Sequence, residues 1–247
     1  MIGIILAGGY ATRLKPLTDT QPKHLLPING KPMIDYLIAD LIDLPITHYY
    51  LVTNEKFAKR FEEWLANCPQ IWQNAITIVS DGTTSNDDRL GSLGDIKFVF
   101  DHFNIADDMF VFGADNITDF PYEKLLDVFN ETKKPVVGVY DIGDTALATQ
   151  FGVMDVDEHG VIASFEEKPE NPKSTLISTL FYVLPYEVVP VLDKCISDGL
   201  HDKAGNLISE LVAKDSVYAV SHDGYWFDIG THETYVQAQE HFAEKEE

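Results

Sequence analysis

The chain has 247 residues, and 18 lysines and arginines face 40 aspartates and glutamates, a formal net charge of −22 at pH 7. The length suits one large α/β domain with a full core, and 45% hydrophobic residues with ordinary glycine and proline counts mark a globular chain. The acidic excess excludes the basic face that nucleic acid or an anionic membrane surface demands, no apolar run is long enough to cross a bilayer, and the start "MIGIILAGG" carries no basic leader.

The first apolar run, "MIGIILAG", is bounded by glycine and reads as a buried strand. "KPMIDYLIADLIDL" spaces its apolar residues as a helix, "HYYLVT" reads as a strand, and "EKFAKRFEEWLAN" as an amphipathic helix. "AITIVS" is strand-like and runs into the polar loop "DGTTSNDDR". "GSLGDIKFVFDHF" predicts a helix, "DMFVFGAD" a strand with acidic residues after its apolar core, "YEKLLDVFNETKK" a helix and "PVVGVYDI" a strand. This alternation predicts an α/β fold, a Rossmann-like mixed, mainly parallel sheet flanked by helices. Ligands in such folds sit at the carboxyl ends of strands, where both the glycine stretch and "FGADN" fall. The second half differs. "GVMDVDEHGVIASFEEKP" predicts a hairpin turning at His159-Gly160, "STLISTLFYVLP" a strand, and "PYEVVPVLDKCISDG" and "NLISELVAK" helices. "SVYAVSHDGYWFDIG" returns to strand, and "THETYVQAQEHFAEKEE" reads as a terminal helix capped by Thr231 or Gly230. No internal repeat or low-complexity linker interrupts the chain, so a single domain spanning 1–247 is expected.

Gly8 and Gly9 directly follow the first strand. Glycine there lets the chain turn and lets backbone N–H groups approach a ligand closely, as a phosphate cradle does. The stretch lacks the G-K-[ST] ending of a Walker loop and is not G-x-G-x-x-G. Arg13, Lys15, Lys23 and Lys31 cluster close behind, conspicuous in so acidic a chain. Cys68 and Cys195 stand alone without metal-type spacing, which predicts reduced thiols and a cytoplasmic location.

The full stretch is more specific than its glycines. "LAGGYATRLKPLT…PKHLLPI" resembles the signature of the sugar-1-phosphate nucleotidylyltransferases, or NDP-sugar pyrophosphorylases. "FGADNI", "FGVMDVDEHGVIASFEEKPENPKS" and "YWFDIGTHETY" resemble later motifs of that family in the same order. The resemblance is nearest to the glucose-1-phosphate thymidylyltransferase and uridylyltransferase type. It implies the nucleotide-diphospho-sugar transferase fold, with a nucleotide-binding half at about 1–140 and a small β-rich sugar-phosphate-binding half at about 141–247 (both approximate, by motif position). It also implies a reaction: a sugar 1-phosphate oxygen attacks the α-phosphorus of a nucleoside triphosphate, and pyrophosphate leaves.

The resemblance carries roles to particular residues. Leu6, Ala7, Gly8, Gly9 and Thr12 would lie against the nucleotide, and Arg13 would hold the triphosphate and departing pyrophosphate with a guanidinium fork. Lys23 would add a second cation to the same oxygens. Asp115 and Asp228 would hold Mg²⁺, which takes hard oxygen ligands and commonly one or two carboxylates; Asp81, Asp87, Asp88 and Asp119 compete for that role. Lys168 would bind the acceptor phosphate and Glu167 the sugar hydroxyls, with Asn116, Gly152 and Thr179 completing that pocket. Ser80, Asp81 and Gly91 would neighbour the base. The expected partners are a nucleoside triphosphate and a sugar 1-phosphate, with no nucleic acid and no membrane; the protein is expected to be a monomer or homo-oligomer, without an appended acyltransferase domain.

This sequence departs from the family pattern at several points. Ala11 replaces a glycine, "GADN" spaces the aspartate differently, and Leu180 stands where a glycine commonly lines the sugar pocket. Ser80 and Asp81 stand where thymidine and uridine readers offer a glutamine. An ionised aspartate only accepts hydrogen bonds, which brings cytidine triphosphate forward as a candidate; alternatively Asp81 merely starts a turn. An NDP-sugar-using glycosyltransferase and a catalytically silent nucleotide-sensing relative are the other classes considered.

Overall fold

The computed structural model describes residues 1–244. The last residues of the terminal-helix segment, 245–247, lie outside the described residues. In chain order the elements are β1 (Ile2–Leu6), β2 (Pro27–Ile28), β3 (Lys31–Pro32), α1 (Met33–Leu41), β4 (Tyr49–Thr53), α2 (Glu55–Ala66), α3 (Gln70–Ala75), β5 (Ile76–Ser80), α4 (Gly91–Phe103), β6 (Met109–Gly113), β7 (Asn116–Thr118), α5 (Tyr122–Thr132), β8 (Val136–Asp141), α6 (Thr145–Ala148), β9 (Gly152–Val156), β10 (Ile162–Glu167), β11 (Leu176–Leu184), α7 (Val189–Ser197), α8 (Gly205–Val212), β12 (Tyr218–His222), β13 (Trp226–Asp228) and α9 (His232–Glu244). The architecture is the mixed α/β one that the alternation implies. Among the described residues no helix is long and apolar enough to cross a membrane.

The chain forms two compact units. One comprises Ile5–Arg89, Gly113–Phe120 and Gly224–Glu247, and carries the glycine turn. In it β4 and β5 pair in parallel from Tyr49↔Ile76 to Thr53↔Ser80, as strands joined through helices must. Ala7 N donates to Val52 O at 2.8 Å, and Ala114 N to Leu6 O at 3.1 Å. The turn after β1 and the residues just after β6 are therefore neighbours. Helix α2 starts at Asn54, whose side chain accepts from Phe57 N, an N-cap that satisfies one of the first-turn donors. Its apolar face buries Phe57 and Phe61. The short strands β7 and β13 pair antiparallel, with Asp228 opposite Asn116. Beneath them Leu14, Leu26, Ile28, Met33, Ile117, Ile229 and Ala238 form one apolar cluster. Helix α9 is tied to the β2–β3 turn by Gln239, which donates to Pro27 O and accepts from Asn29 N.

The other unit comprises Met1–Ile4, Leu90–Phe112 and Pro121–Asp223. Strand β11 pairs antiparallel with β6 and β8 and meets β9 at Ile177↔Val153. β8 pairs in parallel with β12, and β9 and β10 form the expected hairpin. The segment "SVYAVSHDGYWFDIG" proves to be two strands, β12 and β13, one in each unit. Its interruption, Asp223–Tyr225, is held by Tyr225 N donating to Asp119.

Two of the non-glycine departures fall on left-handed backbone: Ala11 has φ 46° and Leu180 φ 59°. Leu180 lies inside a register shift in β11, where Ser178 faces Val139 but Tyr182 faces Val137, so β11 bulges. The glycine-type conformation thus persists without glycine. Left-handed backbone costs an alanine roughly 1 kcal/mol relative to glycine. Ala11→Gly is therefore expected to raise unfolding stability by about that amount, read as a higher denaturation midpoint at constant slope; an unchanged midpoint contradicts the assignment of strain.

Candidate active site

Gly8 O accepts a hydrogen bond of 2.9 Å from the Asn54 side chain, which thereby ties the turn to the cap of α2. Gly9 is exposed, and a Cβ built on it meets nothing within 4 Å. Crowding within the fold gives no reason for glycine there, which leaves the open backbone itself as the feature. Leu6 and Ala7 are buried, whereas Thr12 is exposed in a short 3-10 turn anchored by buried Leu14. Arg13 lies on this turn and is exposed. Its Nη2 is 3.3 Å from the position a Cβ would take on Gly230, and Asp228 Oδ2 is 3.9 Å from that same position. Gly230 leaves room for both groups. His232 Nε2 hydrogen bonds to Lys15 O at 2.9 Å, so the start of α9 fixes the far side of the Arg13 turn.

Lys23 is buried, an unusual state for an ammonium. It donates to Asp115 Oδ2 at 2.6 Å and to Ile229 O at 3.2 Å. Ile229 N in turn donates to Asp115 O at 2.9 Å. The resemblance aimed Lys23 at the same phosphate oxygens as Arg13; its partners here are a carboxylate and a backbone carbonyl. Burial works against the charged form of Asp115, yet the Lys23 ammonium holds its carboxyl below the ordinary carboxylate range. Burial pulls His24 down to about 3, and the Lys23 charge adds to this. His24 is therefore neutral at pH 7, and no second positive charge crowds the ammonium.

Asp115 and Asp228, 113 positions apart by subtraction of their numbers, are brought together by the β7–β13 pairing. Among the described residues no three His, Cys, Asp or Glu side chains are placed to hold a metal ion. Two carboxylates at neighbouring strand ends nevertheless fit Mg²⁺, which completes its shell with water and phosphate oxygens. Asn116 is buried, with its amide donating to Gly113 O and Asp115 Oδ1. It belongs to the unit of the glycine turn, apart from the other residues assigned to the acceptor.

Ser80 and Asp81 both have local partners. Ser80 donates to Glu55 at 2.7 Å. Asp81 Oδ1 accepts from both N and Oγ1 of Thr83, each at 2.7 Å, and Thr83 Oγ1 contacts Tyr10 OH at 3.2 Å. This is an aspartate-initiated turn, linked through Tyr10 to the glycine loop. Tyr10, Asn54 and Thr83 are thus functional neighbours that the sequence reading did not single out. The cap pattern Asn54-x-x-Phe57 was the available signal for Asn54.

The remaining candidates lie in the other unit. Gly91 has φ +75°, and a Cβ there would stand 2.5 Å from Asp202 Cα; packing alone demands glycine. Thr179 is buried and donates to Gly138 O at 2.9 Å. Glu167 pairs in register with Gly152. Burial raises the Glu167 carboxyl above its usual range, against the pull of Lys168 and Lys203. Lys168 is exposed and takes left-handed backbone at φ 53°, its N donating to Phe151 O. Lys203 was missed in the sequence because no motif marks it; it faces Glu167 only through the fold.

The family model described as Nucleotidyl transferase matches residues 2–245. A protein of Sulfolobus acidocaldarius assigned as a mannose-1-phosphate guanyltransferase is 31% identical over 243 residues, covering 95% of this chain and 61% of its own length. This chain therefore spans less than two thirds of that relative. Among solved structures, one from Bacillus anthracis assigned as a glucose-1-phosphate thymidylyltransferase, in complex with a sucrose, superimposes with a TM-score of 0.84 at 25% identity, over 97% of this chain and 94% of that one. A UDP-glucose pyrophosphorylase complexed with UDP-glucose gives 0.83 at 21% identity, over 99% and 100%, a likeness of fold. With the glycine turn, Arg13, Lys23 and the Asp115–Asp228 pair assembled in one unit, and the match running nearly end to end, the chain belongs to the Nucleotidyl transferase family.

Proposed function

We propose that this chain transfers a nucleotidyl group from a nucleoside triphosphate to a sugar 1-phosphate, releasing pyrophosphate and an NDP-sugar. An oxygen of the acceptor phosphate forms the new bond to the α-phosphorus. The bond from that phosphorus to its bridging oxygen breaks, and the oxygen leaves with the electron pair on pyrophosphate. The attacking phosphate is already anionic, so no general base is required. Positioning and charge stabilisation supply most of such a rate.

The observation that carries this reading is the pair of buried Lys23 and half-buried Asp115, with Ile229 O as the second acceptor of the ammonium and with Arg13 and Asp228 flanking Gly230. An exposed guanidinium and the Asp228 carboxylate thus share the space at Gly230, in the same unit as Asp115 and the open glycine backbone. Arg13 binds the oxygens of the triphosphate and of the departing pyrophosphate. Lys23 fixes the Asp115 carboxylate in its charged form. Asp115 and Asp228 would hold Mg²⁺, which when bound neutralises phosphate charge. Lys168 receives the acceptor phosphate and Glu167 accepts from sugar hydroxyls. The local partners of Asp81 favour the turn role for it over base reading. A triphosphate-consuming reaction of this kind suits the cytoplasm.

The test is to incubate the full chain with each nucleoside triphosphate, a panel of sugar 1-phosphates and Mg²⁺, and to measure pyrophosphate. Absence of release with every pair overturns the reading. A division of labour is also expected. Arg13→Ala raises the KM for the triphosphate and lowers turnover, by tenfold or more in kcat/KM (about 1.4 kcal/mol). Lys168→Ala raises chiefly the KM for the sugar phosphate. The same defect toward the same substrate in both variants shows that the roles are wrongly divided.

A further inference from the structure

We propose that Gly205 is a positioning residue for the acceptor: by lacking a side chain it sets where the Glu167 carboxylate stands. The inference rests on the acceptor role given to Glu167 above. Phe165 and Glu167 are two apart on β10 and so share a face. On Gly152 a Cβ would stand 2.4 Å from Phe165 Cζ and 3.2 Å from Glu167 Oε2. On Gly205 it would stand 1.9 Å from Glu167 Oε2, 2.9 Å from Glu167 Cδ and 3.1 Å from Phe165 Cζ. The carboxylate occupies the space an alanine methyl would need.

Backbone conformation does not ask for glycine at 205, since its φ is outside the left-handed region. Glycine is also a poor residue for a helix, and Gly205 is the first residue of α8 and buried. What the missing side chain accommodates is the end of a charged side chain and a ring edge, with no backbone atom among its nearest neighbours. A carboxylate over the first turn of a helix is favoured by the helix dipole. Lys168 and Lys203 also favour its charged form, while burial opposes it. Hydroxyl recognition needs an acceptor held at one place, because small displacements cost a large share of the binding advantage.

The experiment uses the full chain carrying Gly205→Ala. The acceptor KM rises tenfold or more while the triphosphate KM stays within twofold, and the melting temperature is unchanged or higher. Glu167→Asp, which itself withdraws the carboxylate by one methylene, lowers acceptor kcat/KM in wild type but costs at most threefold more in the Gly205→Ala background, where the carboxylate is already displaced. An acceptor KM within twofold of wild type, equal losses toward both substrates, or fully additive losses in the double variant overturns the proposal. Failure of the activity reading shows separately, as wild-type protein that releases no pyrophosphate with any pair. The contact is then read from melting alone: Glu167→Asp shifts the melting temperature upward in the Gly205→Ala background relative to its effect in wild type. Equal shifts in the two backgrounds overturn it.

Discussion

Asp228→Asn is expected to lower turnover by a hundredfold or more, on the order of 3 kcal/mol of barrier, with little change in melting temperature. The two halves of that expectation have different physical sources. Asp228 ends β13, whose pairing with β7 is made through the backbone register Trp226↔Thr118, Phe227↔Ile117 and Asp228↔Asn116. An amide of the same shape leaves this ladder intact and retains hydrogen-bonding capacity. The lost charge, however, removes one of the two carboxylates at neighbouring strand ends, where Mg²⁺ commonly takes one or two from protein alongside phosphate. Steady-state rates of wild type and variant, measured across a Mg²⁺ titration, read the effect. Wild-type rates in excess EDTA equal to those in Mg²⁺ would sink the metal assignment. A variant that keeps more than a tenth of wild-type turnover would remove Asp228 from it.

Much of the fold was legible in the sequence, and the reason differs from element to element. Long periodic runs such as Glu55–Ala66 and Tyr122–Thr132 declare a helix by their apolar spacing and fold as one. β7, Asn116–Thr118, is only three residues long; no period can be read from three residues, yet this strand brings Asp115 to Asp228. Their convergence came from motif order, and the pairing that produces it is visible only in three dimensions. Lys23 stands out in the sequence as a candidate phosphate cation, and the partners it has within the chain, a carboxylate and a carbonyl, are those a buried ammonium requires. Asp81 shows the opposite case. Its hydrogen bonds to Thr83 are the local chemistry that an Asp-Gly-Thr stretch predicts on its own. Gly205 gave no signal, because a helix-starting glycine is explained only by what lies above it.

Replacement of Lys23 by methionine is expected to cost about 2 kcal/mol of stability, below the usual range for breaking a buried ion pair. The discount follows from the Asp115 side chain, which retains 29% of its exposure and so keeps some water when the ammonium is gone. Methionine fills the stem volume but donates nothing, leaving Asp115 Oδ2 without its partner and Ile229 O without its side-chain donor. Neutralising the carboxylate should then help: Lys23→Met with Asp115→Asn is expected to regain roughly half of the loss, so the coupling is about 1 kcal/mol plus whatever Asp115→Asn costs alone. The pH dependence has a definite sign. In wild type the Asp115 carboxyl is held below its ordinary value, so its stabilising contribution is complete above about pH 4 and disappears as the pH falls through the lowered value. In Lys23→Met the unpaired carboxyl titrates higher, and its protonation relieves the penalty. The stability gap between the two proteins therefore narrows as the pH falls from 7 toward about 4. Urea denaturation of wild type, both single variants and the double variant at several pH values measures all three quantities. Catalysis should not follow stability, because the double variant lacks both the cation and the carboxylate; its pyrophosphate release remains at or below that of the weaker single variant. Purely additive losses, or a gap that widens toward acid pH, would mean that Lys23 and Asp115 do not act as a pair.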